Sequence, residues 1–144
     1  DDDEVEGESV YITNNTRLQL LSMDSLASVR VRFFAIFGNP ALGSVHLPSL
    51  SKFRVPKQEA SCTLTSLTSL FGVFGNEALT SLVLNPKLPE PKDWTLAENA
   101  PSFCSSGPQW ATSSCAGSTV SVEAAEEAIF GCQCQGAGFE ADFV

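Results

Sequence analysis

Residues 33–42 read FFAIFGNPAL and residues 70–79 read LFGVFGNEAL, and this doubled phrase constrains the fold more than any other feature. Laying residues 34–47 over residues 71–84 gives identity at eight of fourteen positions. A shift of 24 residues extends the agreement upstream. It places Ile12 on Ile36, Asn15 on Asn39, Leu18 on Leu42, Leu21 on Val45, Met23 on Leu47, Leu26 on Leu50 and Val29 on Phe53. The shared pattern is (V/F)-x-(I/V)-x-(N/G)-N-x-x-L-x-x-(L/V)-x-(L/M), in which only the asparagine is polar at a repeated core position.

Each part of the pattern has a physical reading. Val10 and Ile12, Phe34 and Ile36, and Phe71 and Val73 are spaced by two, as on one face of a strand. The following "NN" or "GN" supplies a residue that tolerates positive φ and then an asparagine that can satisfy the turn backbone. Stacked copies would line Asn15, Asn39 and Asn76 into a ladder. A turn of about 24 residues cannot bury its own apolar side and must stack on its neighbours. The expected fold is therefore mainly β: a short leucine-rich solenoid over residues 10–88, behind an acidic arm at residues 1–9.

Residues 48–70 carry a 13-residue excess over the shorter spacing and contain "VPKQEASCTLTSLTSL", an extra half coil or a loop that leaves the stack at Pro56. Beyond Leu84, the proline-rich "NPKLPEPKDW" is expected to end the ladder as a linker or capping loop. "SVEAAEEAIFG" reads as a short helix with Ser121 as N-cap and Gly131 as stop. Its Val122, Ala125 and Ile129 are suited to covering the open end of the solenoid. Residues 89–144 thus form a cysteine-containing cap.

Charge and cysteine placement bound the function. The net charge is −9, and six of the first eight residues are acidic. That balance excludes a phosphate-binding footprint and so argues against nucleic acid. The acidic start reads as a solvated, partly disordered arm, and only loosely as a calcium loop. No apolar run approaches the roughly 20 residues that span a bilayer. The absence of an initiator Met and of a leader suggests a processed product or a piece of something longer.

Cys62 stands alone, and Cys104, Cys115, Cys132 and Cys134 fall in the last third without paired C-x-x-C knuckles. Disulfides among those four fit better than zinc, and imply an oxidising, extracellular setting. The odd count leaves a free thiol or a partner outside the chain. Asn14 heads the sequon Asn14-Asn15-Thr16, an N-glycosylation acceptor.

Little in the chain suits catalysis. His46, the single histidine, aligns with Ser22 and Val83 at an outward strand position. Glu98, Glu123, Glu126 and Glu127 read as solvated, and no nucleophile elbow, phosphate loop or dinucleotide fingerprint occurs. No enzyme, cofactor or metal is expected. Binding is the better prospect. Phe37 and Phe74 share one repeat position beside inward Ile36 and Val73, so they face away from the core, with Thr13 as their counterpart. They either form an aromatic patch for a partner, framed by Arg30, Arg32 and Arg54, or are covered by the C-terminal segment or the excursion.

The phrases "ITNNTRLQLLSMDSLASV" and "IFGNPALGSVHLPSLSKF" resemble the receptor L-domain branch of leucine-rich repeats, found in growth-factor receptor ectodomains and fungal cell-wall proteins. The resemblance covers residues 10 to about 88 and implies a right-handed β-helix-like solenoid. "CQCQGAGFEA" resembles the C-x-C-x-x-G-F ending of EGF-like modules, with one residue inserted after Cys134. That reading would make residues 89–144 the start of such a module rather than a stapled cap. Two functions follow as expectations: an extracellular recognition module that binds a protein or glycan through a solenoid face, or a structural segment of a surface or matrix filament built from further copies. An ice-binding face is disfavoured by the short, irregular threonine spacing of "TLTSLTSL".

Overall fold

The computed structural model describes residues 4–6, 9–56, 67–112, 117–133 and 139–141. Its elements, in chain order, are strands β1 (Glu4–Glu6), β2 (Ser9–Thr13), β3 (Leu20–Ser22), β4 (Ser28–Arg30), β5 (Phe33–Phe37), β6 (Ser44–Leu47), β7 (Lys52–Arg54), β8 (Leu70–Phe74), β9 (Ser81–Leu84), β10 (Trp94–Thr95) and β11 (Cys104–Ser106). Helices α1 (Gln109–Thr112) and α2 (Val122–Gln133) follow, and then strand β12 (Phe139–Ala141). The fold is mainly β, and every strand pair is parallel.

Successive passes of the chain contribute strands to three sheets, ordered β1-β4-β7, β10-β8-β5-β2-β12 and β11-β9-β6-β3. Register follows the sequence offsets. Val10 pairs with Phe34, Phe34 with Phe71 and Phe71 with Trp94, while Leu21, Val45 and Leu82 form a second row. Because side chains alternate across a strand, these rows all point to one interior.

The corners explain the polar residues of the repeat. Asn14, Gly38, Gly75 and Glu98 occupy equivalent positions at φ of 61°, 66°, 66° and 59°. The next residues form a buried row. The Asn15 backbone N–H and side-chain Nδ2 both donate to Asn39 Oδ1 at 3.0 Å. Asn39 does the same to Asn76 Oδ1 at 3.1 Å, and Asn76 to Asn99 Oδ1 at 3.2 Å. Each amide also donates back one pass, from Asn39 to Ile12 O at 3.0 Å, Asn76 to Ile36 O at 3.1 Å and Asn99 to Val73 O at 3.0 Å. Turn backbone that would otherwise be buried without partners is satisfied here by side chains.

Asn99 corrects the expectation that the ladder ends at Leu84. Residues 94–106 make a fourth pass, with β10 on β8 and β11 on β9. Pro86, Pro89 and Pro91 lie between β9 and β10, on the return side of the third pass, where no strand forms and no ladder N–H is required. The first pass is also preceded by strands. The acidic start is not wholly a loose arm, since β1 pairs with β4 in the register Val5↔Val29, continuing the row Val29↔Phe53.

Two apolar clusters result. The interior holds Val10, Ile12, Phe34, Ile36, Leu42, Val45, Leu47, Phe71, Val73, Leu79, Leu82 and Leu84. It finishes in aromatics: Phe34 stacks on Phe71 at 5.6 Å, and Trp110 meets Phe71 edge-on at 6.2 Å and Trp94 at 4.8 Å. Both indole N–H groups are used, Trp94 on Glu90 Oε2 and Trp110 on Leu88 O, each at 2.9 Å. Residues 117–119 then bond along β10, with Thr119 N donating to Trp94 O at 2.8 Å.

The second cluster lies outside the five-stranded sheet, beneath α2. Ser121 Oγ accepts from Ala124 N at 3.0 Å, an N-cap, and the helix buries Val122, Ala125, Ala128 and Ile129. These side chains pack on the sheet face, not on the end of the stack as expected. Twelve residues span about 18 Å, nearly four strand spacings of about 4.8 Å. A helix of that length suits a five-stranded face and carries the chain from the last pass back to the first, where β12 pairs with β2 in the register Ala141↔Ile12. Gly131 does not stop it, and α2 runs to Gln133.

Candidate functional site

The aromatic pair singled out by the repeat is a core. Phe37 and Phe74 stack at 5.2 Å with planes 8° apart, and expose 7% and 0% of their surface. Tyr11 meets Phe37 edge-on at 6.3 Å, as does Phe130 from α2 at 6.3 Å. Both phenylalanines do face away from the interior. They are nevertheless no open patch, because the alanine-rich side of α2 lies close over them. The sheet is shaped for that approach by small residues at its centre, Ala35 beside Gly72. A Cβ on Gly72 would stand 2.8 Å from the Phe74 ring.

The remaining candidates do not gather around this pair. Thr13 is buried on the same strand position. Arg32 is buried, and its Nη2 donates to Pro56 O at 3.3 Å, tying down the point where the excursion leaves. Arg30 lies in the three-stranded sheet, registered with Arg54. Asn14, the sequon residue, is exposed at its corner. Cys104 is disulfide-bonded. Cys115, Cys134 and Cys62 lie outside the described residues, and Cys132 falls within α2. Among the described residues no three of His, Cys, Asp or Glu stand together as a metal site.

With one sheet face under α2, the broad face over which no helix or strand lies among the described residues belongs to β11-β9-β6-β3. Its inward row is Leu21, Val45, Leu82 and Ser105, so the flanking residues point out. They form two registered rows: Leu20, Ser44, Ser81 and Cys104, and Ser22, His46, Val83 and Ser106. Neighbours along each row repeat at about 4.8 Å. None of the eight carries a carboxylate, ammonium or guanidinium, although the chain as a whole is at −9. The surface can therefore offer hydroxyls, one imidazole and short apolar groups at fixed spacing, without a desolvated charge.

Alignment of the repeat puts Ser22, His46 and Val83 in one row, and the small size and neutrality of the neighbouring row, Leu20, Ser44 and Ser81, is also readable from the sequence. Among the described residues, no helix is long and apolar enough to cross a membrane. No model of a known protein family matches the chain, and neither do any curated protein or solved structure.

Proposed function

We infer that the chain is a short solenoid of the receptor L-domain type, working outside the cell as a non-enzymatic recognition module. Four stacked passes related by offsets of 24, 37 and 23 residues, tied by one asparagine row, support the solenoid reading. The disulfide at Cys104 and the exposed sequon residue Asn14 support the extracellular one. The observation that carries the function is the four-stranded face, over which no described helix or strand lies, neutral and built of registered short side chains, beside a neighbouring face that α2 covers. A protein or glycan partner without strong charge fits such a surface.

The test is capture of a neutral-glycan and ectodomain array by wild-type chain and by the Ser44→Arg/Ser81→Arg variant, whose substitutions lie on adjacent strands of that face. The reading expects binding that falls at least tenfold in the variant. Binding that is indifferent to the variant would move recognition to another surface, and no binding at all would count against a recognition module.

A further inference from the structure

The four corners beside the asparagine row differ in the residue they place at positive φ. Asn14, Gly38, Gly75 and Glu98 take that position in the first to fourth passes. Left-handed backbone favours glycine and admits asparagine more readily than most side chains. Conformation thus accounts for the two glycines and tolerates Asn14, but it does not decide where the Asn14 side chain goes. The corner parts the two asparagines of the sequon. Asn15 is 1% exposed and held by Asn39, while Asn14 is exposed. Thr16, which supplies the sequon hydroxyl, is exposed as well. Asn39 and Asn76 are fully buried, and neither heads a sequon. The folded chain therefore presents to solvent the asparagine that heads the motif and keeps its neighbour in the row.

The next two corners set the space beside Asn14. A Cβ on Gly38 would come 3.9 Å from Asn14 Oδ1 and 3.4 Å from Thr13 Oγ1, so the carboxamide leans toward the second pass. For a Cβ on Gly75 the nearest atom is Gly38 N, 3.9 Å away. Two successive corners offer backbone alone. They make a bare track of two strand spacings, about 10 Å, between Asn14 and the exposed Glu98. Each corner joins a strand of the helix-covered sheet to one of the four-stranded sheet, so the track flanks the four-stranded face along one side.

We propose that Asn14 is an N-glycosylation site and that its first sugar, an N-acetylglucosamine, lies along this track. In the transfer, Asn14 Nδ2 forms a bond to C1 of the sugar and gives up one proton to solvent through the transferase. The bond from C1 to the oxygen of a lipid-linked pyrophosphate donor breaks, and the pyrophosphate leaves with its electron pair. The product is bulky and strongly hydrated, and only a solvent-facing carboxamide with no side chain on the adjoining corner can carry it in the folded chain.

This inference rests on the extracellular reading above, and one sample separates the two. The full chain, secreted from a eukaryotic cell line behind a supplied leader, is mass-mapped before and after peptide N-glycosidase, which leaves an aspartate at position 14. A glycan is expected at Asn14, falling at least tenfold in Thr16→Ala and Asn14→Gly and persisting in Thr16→Ser. Asn14→Gly takes the residue that the next two corners use, so it should melt no lower than deglycosylated wild type. In protein trimmed to one sugar, a nuclear Overhauser contact is expected between the N-acetyl methyl and Gly38 Hα. Unmodified Asn14, a glycan that survives Thr16→Ala, or a glycan without the Gly38 contact overturns the proposal. Unmodified Asn14 in secreted chain whose Cys104 is disulfide-bonded leaves the extracellular reading standing. A free Cys104 thiol in that chain counts against the extracellular reading itself, whatever Asn14 carries.

Discussion

Replacing Asn39 by alanine should remove the centre of the buried asparagine row. Asn39 is fully buried, and its side chain takes part in five hydrogen bonds. It accepts from Asn15 N and Nδ2 at 3.0 Å each, and donates to Ile12 O at 3.0 Å, Asn76 Oδ1 at 3.1 Å and Phe37 O at 3.2 Å. The amide has two N–H donors for its three acceptors, so one of those contacts is shared, and at about 1 kcal/mol net per full bond the loss is roughly 4 kcal/mol, within a factor of two. That approaches the lower end of the whole stability of a small domain, about 5–15 kcal/mol. Asn99, half-buried at the last corner, accepts from Asn76 at 3.2 Å and donates to Val73 O and Leu96 O, and its alanine variant should lose less.

The assay is urea unfolding followed by Trp94 and Trp110 fluorescence, which reports the far end of the stack and so tests transmission along it. If Asn39→Ala does not fold, Asn99→Ala still gives the measurement, at about 2–4 kcal/mol. A loss below about 1 kcal/mol for Asn39→Ala would refute the argument that the row satisfies buried backbone.

Three further outcomes are expected. Gly75→Asn should be nearly neutral and Gly75→Val should cost about 1–2 kcal/mol, because the corner sits at φ 66° and the nearest atom to an added Cβ is 3.9 Å away, so strain rather than space decides; equal melting temperatures would contradict this. Gly72→Ala should destabilise by about 1–3 kcal/mol by displacing the Phe74 ring from Phe37, measurable as a fall in Tm with altered near-ultraviolet dichroism. Ser121→Ala should cost about 1 kcal/mol through the lost cap on α2, and should slow-exchange protection fall at Ala124 alone, the asparagine row is untouched.

Much of this architecture could be read before any coordinates, and the reasons are local. Strand register follows from apolar pairs two apart, and Asn15, Asn39 and Asn76 fix it absolutely, since a slip of one residue would expose them. The fourth pass was hidden because its features are chemically unlike the others. Trp94 and Leu96 replace Phe and Ile, Glu98 takes the positive-φ corner, and Ser105 stands where Leu82 stands one pass earlier. Prolines nearby suggested a break, yet they fall where the chain makes no ladder. The helix and its cap were legible in Ser121 and the following alanines. Its destination was not, because amphipathic spacing says which side is apolar and not what that side meets. The same gap in information applied to Phe37 and Phe74: alternation gives the direction of a side chain, and only the tertiary path of residues 117–133 decides whether that direction ends in solvent.

The most direct test of the central claim is a set of interstrand nuclear Overhauser contacts across the passes. The account predicts methyl contacts between Ile12 and Ile36 and between Ile36 and Val73, none between Ile12 and Val73, and no short Hα–Hα contacts across any of the three pairs. Strong Hα–Hα contacts, the mark of antiparallel pairing, or a direct contact between Ile12 and Val73, would contradict the stacked order on which the proposed recognition face and the asparagine row both depend.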